Sequence, residues 1–125
     1  MTKVTVNFVT KSKDESHWRM VLVEEGPWRA HEVEVQLRRI QDRLYTCIEA
    51  AIDGQLAEQF PASRGKPVTI QVDFYDVPEE PVRAFFQRFS ERALQQSSYS
   101  QALEASEFVE SIIFEANYRK LTASG

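Results

Sequence analysis

The chain has 125 residues, a formal net charge of −4, and 42% hydrophobic against 27% charged residues. This length and composition are typical of one globular domain, so residues 1–125 are expected to fold as a single domain. The negative net charge argues against non-specific nucleic-acid binding, and we predict no nucleic-acid partner.

Cysteine content and hydropathy indicate the compartment. Cys47 is the only cysteine, so no internal disulfide is expected, as is usual in a reducing environment. No apolar run approaches the roughly 18 residues that a membrane span needs, and no apolar secretory segment is evident at the N-terminus. We therefore predict a cytoplasmic protein of bacterial type without a membrane partner.

Two strands are predicted at the start of the chain. Apolar and polar residues alternate in Lys3–Thr10 and again in His17–Glu24. The polar connection Lys11–Ser16 has the length of a hairpin turn, which favours antiparallel pairing. Both faces of the second strand are partly apolar, which suggests a central position in the sheet or a partner on its second face.

A long amphipathic helix is predicted over His31–Phe60, starting somewhere between Trp28 and Glu32. Gly54 costs roughly 1 kcal/mol relative to alanine in a helix interior. The helix is therefore expected to end there, with a further short turn up to Phe60. The apolar residues recur at steps of mostly three or four, the spacing of one helix face: Val33, Leu37, Ile40, Leu44, Ile48, Ala51 and Ile52.

The clearest strand pattern follows a turn at Ser63–Gly65. Four apolar residues alternate with polar ones from Val68 to Tyr75. One face of this strand is therefore expected to pack on the long helix. The other face is polar, so we predict a sheet that is covered on one face only.

A second helix and a final strand complete the predicted elements. Asp76 is the candidate N-cap of a helix that reaches about Gln96, with Pro78 and two glutamates near its first turn. Gln95–Ser100 is polar and predicted to be weakly structured, and Gln101–Ala105 is predicted to add a short helical turn. Glu107–Asn117 is predicted to be a strand, and residues 118–125 a loose tail.

The predicted order is ββαβαβ, which defines an α+β fold. The simplest packing is a two-layer sandwich in which two helices cover one face of a four-stranded sheet. The strand order is left open.

The middle of the chain, residues 31–89, resembles a family of small, uncharacterised bacterial proteins known only as a domain of unknown function. The resemblance implies an α+β fold and no known activity, and it supplies no catalytic residue. It rests on the long helix from His31 and on a set of turn and start signals: Asp53-Gly54, Phe60-Pro61, Gly65-Lys66 leading into Val68, Ile70 and Val72, and Pro78 to Glu80.

No catalytic, cofactor or metal site is predicted. His17 and His31 have no second ligand at metal-binding spacing, and a surface or boundary role is favoured for both. Cys47 lies beside the apolar helix stripe, which favours a structural role over a nucleophilic one.

Several charged groups have structural explanations that outweigh functional ones. The helix-start pair Glu79-Glu80 suits the helix dipole, and Asp73 and Asp76 flank a strand end, where α/β ligand sites often lie. The remaining groups are Glu24-Glu25, which closes a strand; Ser63 to Lys66, which lacks P-loop spacing; and Arg38, Arg39 and Arg43, which favour a solvated helix face.

A surplus of apolar residues suggests an interaction surface. Adjacent phenylalanines on the second helix cannot both point into one core, and the second strand has apolar residues on its outer face. One core that includes them all is an equally weighted alternative. The predicted surface comprises Trp28, Val21, Val23, Tyr75 and Phe85.

Three functions are compatible with these features. The first is a non-enzymatic protein–protein interaction module, self-associating through the open sheet face or an edge strand. The second is an immunity or antitoxin-like protein whose acidic surface neutralises a basic toxin. The third is a small-molecule-binding protein or enzyme with a pocket between sheet and helices, which requires converging polar groups.

Overall fold

A computed structural model of the chain describes residues 7–120. These residues form a four-stranded sheet and four α-helices, which confirms the predicted α+β class. The strands are β1 (Phe8–Lys11), β2 (Trp18–Glu25), β3 (Lys66–Tyr75) and β4 (Val109–Arg119). The helices are α1 (Val33–Asp53), α2 (Gln55–Gln59), α3 (Glu79–Arg92) and α4 (Ser97–Ala105).

The sheet is mixed, with the spatial order β1-β2-β3-β4. β1 and β2 are antiparallel, as predicted from the short turn between them. β2, β3 and β4 run parallel, so that Met20 lies beside Ile70 and Ile70 beside Phe114. Parallel neighbours need a crossover connection, and α1 with α2, then α3 with α4, provide the two crossovers.

The core lies between one face of the sheet and the helices. Alternate side chains of β3 are fully buried there, as the period-two pattern predicts. Their partners come from β2 and from the apolar stripe of α1. The central members are Met20, Leu22, Ile40, Leu44, Ile48, Val68, Ile70, Val72 and Phe74.

The start and end of α1 follow local signals. A 3₁₀ turn at Ala30–Glu32 precedes the helix, and the Arg29 N–H donates to Glu32 Oε1 at 3.0 Å. The helix ends at Gly54, whose φ of 94° is the left-handed conformation that glycine adopts without strain. The predicted helix end at Gly54 is confirmed, and α2 is the predicted short continuation.

The predicted N-cap of α3 is wrong. Asp76 has a φ of 56°, and its N–H donates to the Arg119 carbonyl at 2.9 Å, so its backbone still belongs to the sheet. Pro78 occupies the N-cap position, and α3 begins at Glu79. The α-helix ends at Arg92, and a 3₁₀ turn extends it to Gln95.

The segment before β4 is more ordered than its composition predicts. α4 spans Ser97–Ala105, where a weakly structured segment and a short turn are predicted. Tyr99 holds this helix, since its ring stacks on Tyr45 at 5.5 Å and its hydroxyl donates to Glu49 at 3.1 Å. With α2 and α4, the described chain has four α-helices in the order ββααβααβ, so the two-helix layout is not confirmed.

The termini differ from the predicted bounds. β4 continues to Arg119, so residues 118 and 119 are part of the sheet and not of a loose tail. β1 is observed from Phe8; the remainder of the predicted first strand, residues 3–6, lies outside the described residues, as do residues 121–125 of the predicted tail.

Candidate functional site

The sheet face opposite the helices, here called the open face, carries a connected polar network. Arg19 Nη1 donates to Gln71 Oε1 at 2.7 Å and forms an ion pair with Glu115. The amide nitrogens of Gln71 and Asn117 each donate to Asp73 Oδ1 at 2.9 Å. Side chains from β2, β3 and β4 are therefore linked across the face, which satisfies polar groups on the central strand.

Two buried polar residues belong to the open face. Asp73 is 9% exposed, and Thr69 is fully buried with its hydroxyl 2.7 Å from His17 Nε2. The histidine is thus held by one hydroxyl partner at the sheet end. It has the boundary role that its sequence context favours, and it lies far in sequence from His31, which is exposed at the start of α1.

On the helix side, Glu24 forms a buried ion-pair cluster. Its side chain is 3% exposed, and Arg39 Nη1 donates to Glu24 Oε2 at 3.1 Å. Arg43 forms a second ion pair with the same carboxylate. The predicted solvated role is therefore incorrect for Arg43, whose side chain is 21% exposed. Arg39 remains 46% exposed although it reaches Glu24, and Arg38 pairs with Glu34 on the exposed helix surface.

The sequence contains a signal for this cluster. Glu24 falls on the same strand parity as the buried Trp18, Met20 and Leu22, so alternation alone places its carboxylate on the apolar face. A buried carboxylate requires a cation, and two arginines four residues apart lie on one side of the following helix.

A half-open cleft lies at the carboxyl ends of β3 and β4, and we call it the strand-end cleft. Its volume is about 430 Å³. Tyr118 contributes to one wall: its ring stacks on the fully buried Phe74 ring at 5.3 Å, and the Arg83 guanidinium lies 4.1 Å from the Tyr118 ring centroid. The lining residues are Phe74, Asp76, Val77, Glu79, Tyr118, Arg119 and Lys120.

Charges of both signs line the strand-end cleft. Glu79 accepts a hydrogen bond from Arg83 at 2.9 Å, and Asp76 supplies a second carboxylate. Arg119 and Lys120 are exposed, and neither forms an ion pair with another residue in the range 7–120. Burial raises the pKa of the Tyr118 phenol, and the nearby Arg83 opposes part of that shift.

β4 forms one edge of the sheet and is its longest strand, with 11 residues. Only its β3 side is paired with a strand in the described part of the chain. Ile113 points from the middle of β4 onto the open face and is 55% exposed. The opposite edge strand, β1, comprises four of the residues in the range 7–120.

The five predicted surface residues do not form one surface. Val21 is only 2% exposed, so it cannot offer a contact. Val23 and Tyr75 are half-buried on the open face, which they share with Val21. Trp28 and Phe85 pack against the core on the helix side, consistent with the alternative that they complete it.

The remaining residues considered as functional candidates in the sequence have structural roles. Cys47 is buried, and desolvation raises the pKa of its thiol to about 12, which disfavours the nucleophilic thiolate. Arg64 pairs with Glu107 and lies 4.9 Å from the Phe108 ring centroid, so the predicted turn anchors the approach to β4. Within residues 7–120, no three His, Cys, Asp or Glu side chains converge as a metal site.

The fold defines the class of this protein as an α+β domain with a mixed sheet covered by helices on one face. A family model described as a family of unknown function (DUF6572) matches residues 1–107, and the chain belongs to that family. Searches of curated proteins and of solved structures gave no match. Among the described helices, none has the length and apolar character to cross a membrane.

Proposed function

We propose that the protein is a non-enzymatic, cytoplasmic interaction module that self-associates by pairing its β4 edge with β4 of a second copy. The observation that carries the proposal is the length of this edge strand and its unpaired outer side among residues 7–120. Unpaired strand edges present a row of N–H and C=O groups that another strand can satisfy.

An antiparallel pair centred on Ile113 has the best side-chain match. The exposed Ile113 then lies opposite its own copy, which removes apolar surface from water. Glu115 lies opposite Ser111, so no like charges face each other. A pair centred on Glu115 would instead place two carboxylates together, which is unfavourable.

A closed two-fold dimer follows from this pairing, because the same strand contributes to both sides of the interface. The two sheets become one continuous sheet of eight strands, counted from the four of each copy. A single added strand buries a small area, so we expect a reversible dimer rather than a permanent one.

The test is light scattering coupled to size exclusion over a concentration series into the high micromolar range. The wild-type mass is expected to rise from monomer towards dimer. Ile113→Lys places two ammonium groups opposite each other at the centre of the pair and is expected to hold the mass at that of a monomer.

Val35→Lys is the matched control, because Val35 is 68% exposed on α1 and lies outside the sheet. Its mass is expected to follow that of the wild type, and circular dichroism checks that both variants are folded. A wild type that stays monomeric, or an Ile113→Lys variant that dimerises normally, would overturn the proposal.

A further inference from the structure

We propose that the groove between α1 and α3 docks an acidic, helical segment of a partner protein, with one apolar side chain as its anchor. This α1–α3 groove lies in the helix layer and shares no residue with β4, so the proposal is independent of self-association through the β4 edge. The groove is lined by Gln41, Tyr45, Phe85, Arg88, Phe89, Arg92 and Ala93.

Arg88 and Arg92 give the α1–α3 groove a positive charge, although the whole chain has a net charge of −4. Both are exposed, and neither forms an ion pair or hydrogen bond through its side chain within residues 7–120. The acidic residue between them, Glu91, accepts a hydrogen bond from Gln87 at 3.3 Å. The other lining residues are uncharged, so the groove presents two guanidinium groups to an incoming partner.

The helix itself accounts for only one of these arginines. Arg92 lies in the last turn of α3, where a cation suits the helix dipole. Arg88 lies one turn earlier, where the dipole effect is weak, and two like charges one turn apart repel each other. Carboxylates of a partner would relieve that repulsion, and such charge complementarity favours an acidic partner over a neutral or basic one.

Phe85 supplies apolar surface that a partner can reach. Its ring packs on Phe89 at a centroid distance of 6.1 Å, yet the side chain is only half-buried. Pro81 and Ala84 lie beside it on α3 and are exposed. Phe86 points into the core instead, so the two adjacent phenylalanines serve different surfaces.

The shape of the α1–α3 groove suits the side chain of a partner better than a free ligand. Its volume is about 190 Å³, below the roughly 300–1,000 Å³ of small-molecule pockets. Tyr45 closes the α1 wall, because Tyr99 stacks on its ring at 5.5 Å and Phe89 meets it edge-on at 5.0 Å. A groove between two helices that offers an apolar contact and fixed charges is the surface on which an amphipathic helix docks.

The order of these residues along α3 sets the pattern expected in the partner. Phe85, Arg88 and Arg92 occupy positions i, i+3 and i+7, which lie on one side of a helix. A partner helix parallel to α3 has the same rise per residue. An apolar residue followed by acidic residues three and seven positions later therefore places each group opposite its counterpart.

The test uses a fluorescent, alanine-rich peptide of about 20 residues, long enough to form an isolated helix. It carries leucine followed by glutamate three and seven positions later. One matched peptide has glutamine in place of both glutamates, and a second has serine in place of the leucine. Fluorescence anisotropy at low salt is followed up to about 1 mM protein. We expect saturable binding of the acidic leucine peptide and about tenfold weaker binding of each matched peptide.

The protein variant that tests the groove combines Arg88→Gln with Arg92→Gln. It is expected to weaken the acidic leucine peptide about tenfold and to leave the glutamine peptide unchanged. The matched control combines Arg119→Gln with Lys120→Gln, which removes the same charge from exposed residues at the strand-end cleft and is expected to bind like the wild type. Circular dichroism checks that both variants are folded.

Four outcomes would overturn the proposal. The absence of saturable binding would remove the docking site, and equal binding of the serine peptide would remove the apolar anchor. Equal losses in the two double variants would show a general charge effect in place of a site. Stronger binding of oligothymidylate that depends on Arg88 and Arg92 would favour a nucleic acid over an acidic protein. None of these results bears on the mass measurements for Ile113.

Discussion

At the scale of single residues, Glu24 is the side chain whose burial needs the most compensation. Its carboxylate lies on the apolar face of β2 and is matched by two guanidinium groups from α1. Removing one member of a buried ion pair leaves the desolvation of the others uncompensated. Glu24 therefore fixes how α1 lies on the sheet as well as contributing to stability.

We predict that Glu24→Gln lowers the free energy of unfolding by about 2–3 kcal/mol, because the amide loses charge-assisted hydrogen bonds to Arg39 and Arg43. Urea denaturation measures the change. Glu34→Gln is the control, because that exposed residue pairs with Arg38 in solvent and is expected to change stability by less than about 0.5 kcal/mol. Equal losses in both variants would contradict the role of burial.

At the scale of elements, Gly54 joins α1 to α2 and lies against the approach to β4. Its φ is 94°, and an added Cβ would lie 3.0 Å from the Phe108 ring. Gly65 also has a positive φ, 72°, but a Cβ added there would lie 4.0 Å from the Glu107 carbonyl oxygen, an ordinary van der Waals distance. Comparing alanine substitutions at these two glycines therefore separates the free-energy cost of backbone strain from the cost of the contact with Phe108.

Both Gly54→Ala and Gly65→Ala are expected to lose about 1–2 kcal/mol from left-handed backbone strain. Gly54→Ala is expected to lose more, since the Phe108 ring must also move. Thermal and urea unfolding of the two variants, and of Gly54→Ala combined with Phe108→Leu, check the assignment. If the smaller leucine restores none of the difference, the contact with Phe108 is not its cause.

At the scale of the whole molecule, Cys47 reports on the integrity of the core. Desolvation raises the pKa of its thiol from 9.0 to about 12, so the folded protein retains a proton that the unfolded chain loses above pH 9. Stability from this group is complete below pH 9 and declines as pH rises from 9 towards 12.

Between about pH 8 and about pH 10, we expect the wild type to lose about 1.4 kcal/mol more unfolding free energy than Cys47→Ala. Urea denaturation of both proteins at the two pH values isolates the thiol, because all other titrating groups are shared. Parallel pH profiles for the two proteins would show that the thiol is not protected by the fold.

Local patterns predicted the elements whose stability is local. Alternation over Val68 to Phe74 correctly placed β3 and its buried face, and Gly54 correctly marked the end of α1. Only the second half of α4 is predicted, as the turn at Gln101–Ala105, because its polar first half packs through Tyr99, whose partners Tyr45 and Glu49 are about 50 residues away. The amino-acid composition of a segment does not predict contacts with residues so distant in sequence.

The candidate sites were harder to predict, because they join distant parts of the chain. The strand-end cleft combines the ends of β3 and β4 with the start of α3, and among its residues the sequence pattern indicates only Asp76 as a candidate near a strand end. Alternation along β2 places Val21 on the sheet face opposite the helices, and a strand pattern alone predicts that such a residue is exposed. The fold instead buries it between neighbouring strands.

The parallel arrangement of β2, β3 and β4 also has consequences for synthesis on the ribosome. Met20 pairs with Ile70, so β2 emerges about 50 residues before the neighbour that completes it. Until then only the β1 hairpin can cover its hydrogen-bonding groups, and on one side only. Loop closure over this distance disfavours early pairing and slows folding. The nascent chain thus carries an apolar, half-paired strand through the time in which α1 is made, and we expect docking of that helix to be the first event that shields it.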